Sequence, residues 1–140
     1  MAGLRSLSDP ESIEYDLTID GDPVSTQGLV CMVTNSSSVG GPRGFRFAAD
    51  VDPFDGMLDV FIFDVSFETI MNRLLGSDRT EGMQQWACQE IRVKTPSPLP
   101  VTLDGENFGQ TPATISILPH AVQVLVPRSD EESNTDTQTE

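Results

Sequence analysis

The stretch VTLDGENFG, Val101 to Gly109, sets a carboxylate directly after a turn signal. Asp and Gly both tolerate the positive φ that a tight hairpin needs at its two central positions, so Asp104-Gly105 reads as that turn. Glu106 follows where a strand should resume. A carboxylate fixed there could take a proton from a bound hydroxyl, or it could be a solvated residue at a strand edge. A second acidic group is denser. The run ADVDPFDGMLDV carries Asp50, Asp52, Asp55 and Asp59 within ten residues. Carboxylates this close repel one another unless a cation or solvent compensates, and oxygen ligands around a Gly turn suit Mg²⁺ or Ca²⁺. The Dx[DN]x[DN]G spacing and closing Glu of an EF-hand are missing. The alternative is an acidic loop on an acidic protein. A third dipeptide, Asp20-Gly21, reads as a turn and nothing more.

Other chemistries find no support. No GxxxxGK[ST] occurs, and no GxGxxG opens a helix, so no nucleotide cradle of those kinds is encoded. Gly40-Gly41 and Gly44 read as a flexible loop. His120 is the single histidine, in an LPHAV turn without a nucleophile pattern, which argues against a Ser-His-Asp system. Cys31 and Cys88 each sit in an apolar run and read as small buried hydrophobes. Two sulfurs and one imidazole make a poor metal set. Trp86 reads as a packing anchor.

The elements that must hold these residues are mostly strands. Ile13 to Ile19 alternates apolar and polar, the period of a half-buried strand. Pro23 places the returning strand at an edge or starts it later. GLVCMVT, from Gly28 to Thr34, is apolar at its centre and suits a central strand covered on both faces. Asn35 to Gly44 is a loop by composition. LDVFIF, from Leu58 to Phe63, is strongly β-forming. One amphipathic helix is expected over about residues 66–75, capped by Ser66, with Phe67, Ile70, Met71, Leu74 and Leu75 on one face and Gly76 closing it. Ala87 to Lys94 alternates again. Further strands are expected at Val101–Leu103, Thr114–Leu118 and Val122–Val126, with a turn at Pro119-His120. The expected fold is mainly β, a β-sandwich-like domain with one short helix.

The 140 residues suffice for one domain. Residues 1–11 show no periodicity and read as a flexible start. Residues 129–140 hold no apolar side chain and read as a disordered acidic tail. No apolar run is long enough to span a membrane, and the first residues lack a signal-peptide core, so a cytoplasmic location, peripheral to the membrane at most, is expected. With 22 acids against 8 bases the net charge is −14, and Lys94 is the one lysine. Nucleic acid is therefore an unexpected partner, and direct docking on an anionic bilayer is disfavoured. So acidic a surface repels itself unless salt shortens the screening length, to about 3 Å near 1 M. We expect the melting temperature to rise from dilute buffer to molar KCl; equal melting in both would remove the idea of salt adaptation.

The order of the pieces carries a resemblance. A strand ends near Asn35, then come Gly40-Gly41, Ala49, DGMLDV (Asp55 to Val60), a short helix, PLPVTLDGE (Pro98 to Glu106) and LPHAVQVLVP (Leu118 to Pro127). Over residues 13–127 this resembles the C-terminal domain of bacterial diacylglycerol kinases and sphingosine-kinase-like lipid kinases, relatives of the NAD kinases. The LDGE run fits the lipid branch better than the NAD kinase branch. The resemblance implies a partial β-sandwich over residues 12–128, beside an N-terminal domain whose GGDGT motif binds ATP. It implies that Glu106 is the proton acceptor and that Asp55 holds Mg²⁺ through its side chain, with the carbonyls of Asp52 and Met57 completing the site. The implied reaction is ATP-dependent phosphorylation of a lipid hydroxyl such as that of diacylglycerol. GGDGT is absent from this sequence, so ATP would be held by a domain supplied in cis or in trans, and the chain alone is not expected to be active. A fragment, a truncated product and a stand-alone descendant all fit. Open sheet edges would favour a homodimer. The other function class is a non-catalytic β module that binds a lipid or a protein, with Glu106 and Asp55 as relics.

Overall fold

The computed structural model describes residues 11–36, 38–39, 45–46, 51–64 and 83–125. Eleven strands occupy them, all paired antiparallel: β1 (Ile13–Ile19), β2 (Asp22–Gly28), β3 (Val30–Thr34), β4 (Ser38–Val39), β5 (Phe45–Arg46), β6 (Leu58–Phe63), β7 (Met83–Cys88), β8 (Glu90–Lys94), β9 (Pro100–Leu103), β10 (Glu106–Gln110) and β11 (Ala113–Ser116). They form a four-stranded sheet in the order β11-β8-β1-β2, a three-stranded sheet β3-β6-β7, and two ribbons, β9-β10 and β4-β5. No helix lies among the described residues, and the expected helix at 66–75 falls outside them, as do residues 1–10 and 126–140.

The two larger sheets face each other. Tyr15, Leu17 and Ile19 of β1 and Ile91 and Val93 of β8 project from one; Leu58, Val60 and Ile62 of β6 and Cys88 of β7 project from the other, all in one buried cluster. The alternate residues of β6 make a second core: Phe61 and Phe63, with ring centroids 6.0 Å apart, pack with Val51. β6 is therefore buried on both faces at every position, which is why LDVFIF reads as an unbroken apolar run apart from Asp59.

That finding corrects the reading of GLVCMVT. β3 is half-buried throughout and pairs with β6 alone among the described residues, at the edge of its sheet. The central strand is β6. A continuously apolar run signals contact on both faces, and an edge strand between two cores meets that condition without being central. β2, with Pro23, does lie at a sheet edge.

A second correction concerns Ala87 to Lys94. This is two strands, not one alternating strand. Cys88 is fully buried, Gln89 is exposed, and Ile91 and Val93 are buried again. At Gln89 the chain leaves the three-stranded sheet and enters the four-stranded one. The same switch occurs at Leu29, between β2 and β3, where the Leu29 N–H donates to the Phe63 carbonyl at 2.7 Å. Gly28 is required at that corner: a Cβ there would collide with Ile62 Cγ2 and come within 2.9 Å of the Phe63 carbonyl oxygen. Asp20 holds the other corner. Its φ of 47° and that of Gly21, 91°, make the expected turn. Its carboxylate then accepts the N–H groups of Gln89 and Glu90, both at 2.9 Å, while its own N–H donates to the Glu90 carbonyl.

Two further departures are local. The 35–44 loop contributes Ser38–Val39, which pairs with Phe45–Arg46. The strand expected at Val122–Val126 is not formed: residues 121–125 belong to no ladder and are exposed, and Val126 lies outside the described residues. The turn at Pro119-His120 is present.

Candidate functional site

The acidic loop hangs between two fixed ends. Val51, 4% exposed, is seated against Phe61 and Phe63, and Leu58 opens β6 in the main core. Between them two successive Asp-anchored turns shape the chain. The Asp52 carboxylate accepts the Phe54 N–H at 2.9 Å, and the Asp55 carboxylate accepts the Met57 N–H at 2.8 Å. The Asp52 carbonyl also takes the Asp55 N–H at 3.4 Å. Gly56, φ 74°, supplies the left-handed residue. Asp52 and Asp55 are exposed, and Met57 is half-buried.

One carboxylate and two carbonyls are hard oxygen donors of the kind Mg²⁺ takes while keeping several waters. Asp55 Oδ1 is fixed by the Met57 amide, which orients the carboxyl group. The loop contains the donor atoms that the resemblance names. Among the described residues no three His, Cys, Asp or Glu side chains gather as a metal site, so a cation here would depend on the carbonyls.

Asp59 was grouped with this loop by sequence density, and the structure separates it. It lies in β6, 4% exposed, and accepts a 2.8 Å bond from Gln85 Nε2 on β7. Asp50 lies outside the described residues.

Glu106 is the first residue of β10, after a turn whose Asp104 and Gly105 have φ of 49° and 86°. The Asp-Gly hairpin is as expected. Leu103 stands directly opposite Glu106, and residues so paired share a face, so the carboxylate lies beside an apolar side chain that is itself 56% exposed. Phe108 is the extra residue of a bulge between Asn107 and Gly109, and it is 74% exposed. The Glu106 side chain is exposed and makes no hydrogen bond among the described residues.

The foot of this ribbon is rigid. The Thr111 N–H donates to the Leu99 carbonyl at 2.8 Å, and the Leu99 N–H donates to Thr111 Oγ1 at 2.9 Å. The Thr95 hydroxyl gives its proton to the Ser97 carbonyl, so the short contact between the two threonine hydroxyls must use the Thr111 proton. Sequence reasoning missed Thr95 and Thr111 because nothing in local periodicity marks them. It missed the capping role of Asp20 because the partners lie 69 and 70 residues away.

Asp52, Asp55 and Met57 are brought together on one loop. Glu106 stands on a separate ribbon that pairs with no other strand among the described residues.

Cys31 and Cys88 are both free, on the two strands that flank β6. Burial pushes the Cys31 thiol up to about 11. Burial, with the Asp20 and Asp59 charges behind it, does the same to Cys88. Tyr15 rises to about 12, through burial and then the neighbouring Cys31. Unfolded thiols lose protons near 9, so between about pH 9 and 11 the unfolded chain binds fewer protons than the folded one and stability falls as pH rises. The urea midpoint should therefore be lower at pH 10.5 than at pH 7.5, and the drop should shrink in Cys31→Ala/Cys88→Ala.

The model of the YegS C-terminal NAD kinase beta sandwich-like domain matches residues 1–126. A Staphylococcus haemolyticus protein named "Putative lipid kinase" is 33% identical over 129 residues, which is 87% of this chain and 41% of that protein. A protein of the same name from Staphylococcus aureus strain JH9 is 28% identical over 87% of this chain and 42% of its own length. The crystal structure of "a putative diacylglycerol kinase" from Bacillus anthracis superposes with a TM-score of 0.62 at 26% identity, over 82% of this chain and 41% of that one. The chain thus spans about two-fifths of the length of the curated relatives it matches.

Proposed function

The chain belongs to the family of YegS C-terminal NAD kinase beta sandwich-like domains, and from that premise we propose that it is the acceptor-side domain of an ATP-dependent lipid kinase of the diacylglycerol kinase type. The carrying observation is Glu106, held exposed at the head of β10 by the Asp104-Gly105 turn, with Leu103 beside it. A carboxylate beside an apolar side chain suits a hydroxyl borne on a lipid. The acyl portion can lie along Leu103 while the hydroxyl points at the carboxylate.

In this reading Glu106 takes the proton from the acceptor hydroxyl as that oxygen bonds to the terminal phosphorus of ATP and the bond to ADP breaks. The product from diacylglycerol is phosphatidic acid. The Asp55 carboxylate and the carbonyls of Asp52 and Met57 would hold Mg²⁺, whose charge offsets that of phosphate. Asp52 and Asp55 also shape the loop through their bonds to Phe54 and Met57. ATP is held by a GGDGT-bearing domain outside this sequence, and the enzyme works at the membrane surface where its acceptor resides.

The test is transfer of labelled phosphate from ATP to lipids in mixed micelles, using diacylglycerol, a sphingoid base and phosphatidylglycerol. Label should reach a lipid only when this chain and the GGDGT domain are both present, as one polypeptide or as two. Equal labelling by the GGDGT domain without this chain, or no labelling of any acceptor by the pair, would overturn the reading.

A further inference from the structure

Two polar side chains are buried among the described residues, Asp59 and Thr111. Asp59 is answered by Gln85 across the β6-β7 ladder. Thr111 lies in no strand and stands where the β9-β10 ribbon meets the four-stranded sheet. The chain leaves that sheet at Lys94, the end of β8, and returns to it at Ala113, which pairs with Val93. Residues 95–112 therefore run out from and back to one end of β8.

The Thr111 hydroxyl closes this junction. Pro98 and Pro100 flank Leu99, and Pro112 follows Thr111, so three backbone positions at the foot have no N–H to give. The link falls to the groups that remain. The Leu99 N–H donates to Thr111 Oγ1 at 2.9 Å, the Thr111 N–H donates to the Leu99 carbonyl at 2.8 Å, and the Thr111 hydroxyl donates to that of Thr95. One oxygen atom thereby joins the residue after β8, the residue before β9 and the residue after β10.

Beyond the foot both strands are exposed apart from half-buried Val101, and no residue of the ribbon joins either buried cluster. Among the described residues, the foot alone sets the ribbon's angle to the sheets. Glu106 lies at the far end, about 15 Å from Thr111 at roughly 3.3 Å per residue. Over such an arm a tilt of about 4° moves the carboxylate by about 1 Å, and a misplacement of that size can cost about 10²-fold in rate.

We propose that Thr111 is a positioning residue for phosphate transfer: its hydroxyl fixes the angle of the ribbon and so the place of the Glu106 carboxylate. The proposal rests on the kinase reading, in which Glu106 is the base. Thr111 is buried and acts through Glu106. A serine at this position keeps Oγ1, and a valine keeps the shape without it.

The test is phosphate transfer to lipid by this chain with the GGDGT domain. Thr111→Val should lower kcat at least tenfold with the KM for ATP within about twofold, and Thr111→Ser should stay within about threefold of wild type. In the Glu106→Gln background, Thr111→Val should change the residual rate less than twofold, because a residue that acts through Glu106 has no base left to place. Ile19→Val, at the other end of the β1-β8 ladder, is the control for lost stability and should leave kcat within about twofold. In the chain alone, the Leu99 amide should exchange at least tenfold faster in Thr111→Val and at the wild-type rate in Thr111→Ser. Full activity of Thr111→Val beside an inactive Glu106→Gln would overturn this proposal and leave the kinase reading standing. A loss that persists undiminished in the Glu106→Gln background, that Ile19→Val matches, or that Thr111→Ser shares would overturn it too, as would unchanged exchange at Leu99. No transfer by the wild-type pair, or full transfer by Glu106→Gln, would overturn the kinase reading of this site and the proposal with it.

Discussion

Glu106→Gln, assayed in this chain together with a GGDGT domain as one polypeptide or two, is expected under the proposed reading to lower kcat by about 10²–10⁴-fold, the usual contribution of a positioned general base. The substitution keeps the shape and removes the basicity. The KM for ATP should stay within about twofold, because the proposed role of Glu106 is on the acceptor side. Stability should move by no more than about 0.5 kcal/mol, since the side chain is exposed and makes no hydrogen bond among the described residues. This separation makes the experiment decisive. A structural role for Glu106 predicts a shifted melting curve with little kinetic effect, and the base role predicts the reverse. Retention of most of the rate would return Glu106 to the status of a solvated residue at a strand edge.

Phe61→Ala should produce the largest loss of stability, about 3–5 kcal/mol, by removing a fully buried ring from the strand that both cores share. For a domain whose total stability falls in the usual range of about 5–15 kcal/mol, that is a large fraction. The urea midpoint should fall with the slope nearly unchanged. The effect reaches the acidic loop as well. Phe61 and Phe63 form the surface on which Val51 is seated, and Val51 is the residue from which the Asp52–Met57 loop departs. A cavity there frees one end of the loop while leaving every oxygen donor in place. Phe61→Leu, which retains most of the volume, should cost less than half as much. Equal losses for the two variants would mean that the ring does not support this face.

The strands were legible wherever local pattern decides them. β1 alternates because one face meets β6 and the other meets solvent, and both tight Asp-Gly turns follow from the φ values those residues tolerate. Pattern failed where a strand's surroundings change along its length. Periodicity assumes one sheet and one pair of faces, so a strand that crosses between sheets at Gln89 looks continuous until its neighbours are known. GLVCMVT looked central because an edge strand lying against two cores is as apolar as a middle one. Val122–Leu125 has the propensity of a strand, but a ladder needs a partner, and propensity does not record whether one is present. The candidate site divides the same way. The turn that presents Glu106 is local chemistry and could be read, and the Asp52 and Asp55 turns are short-range. What separates Asp59 from them is the pleat of β6, which turns it toward Gln85. What the sequence withheld altogether is the set of long-range bonds, from Asp20 to the Gln89 corner and from Thr111 to Leu99.

The Asp20 bonds have a consequence for how the chain is made. The β1-β2 hairpin is made first within this domain, and the strand that flanks β1 on its other side, β8, and the two amides that Asp20 caps are synthesised about seventy residues later. At roughly 5–20 residues per second, that interval lasts several seconds or more. Throughout it the hairpin must present Tyr15, Leu17 and Ile19 without the Ile91 and Val93 that will cover them. The domain is therefore most exposed to wrong pairing before β8 is made, and the uncovered face of the nascent hairpin is where a chaperone would hold it.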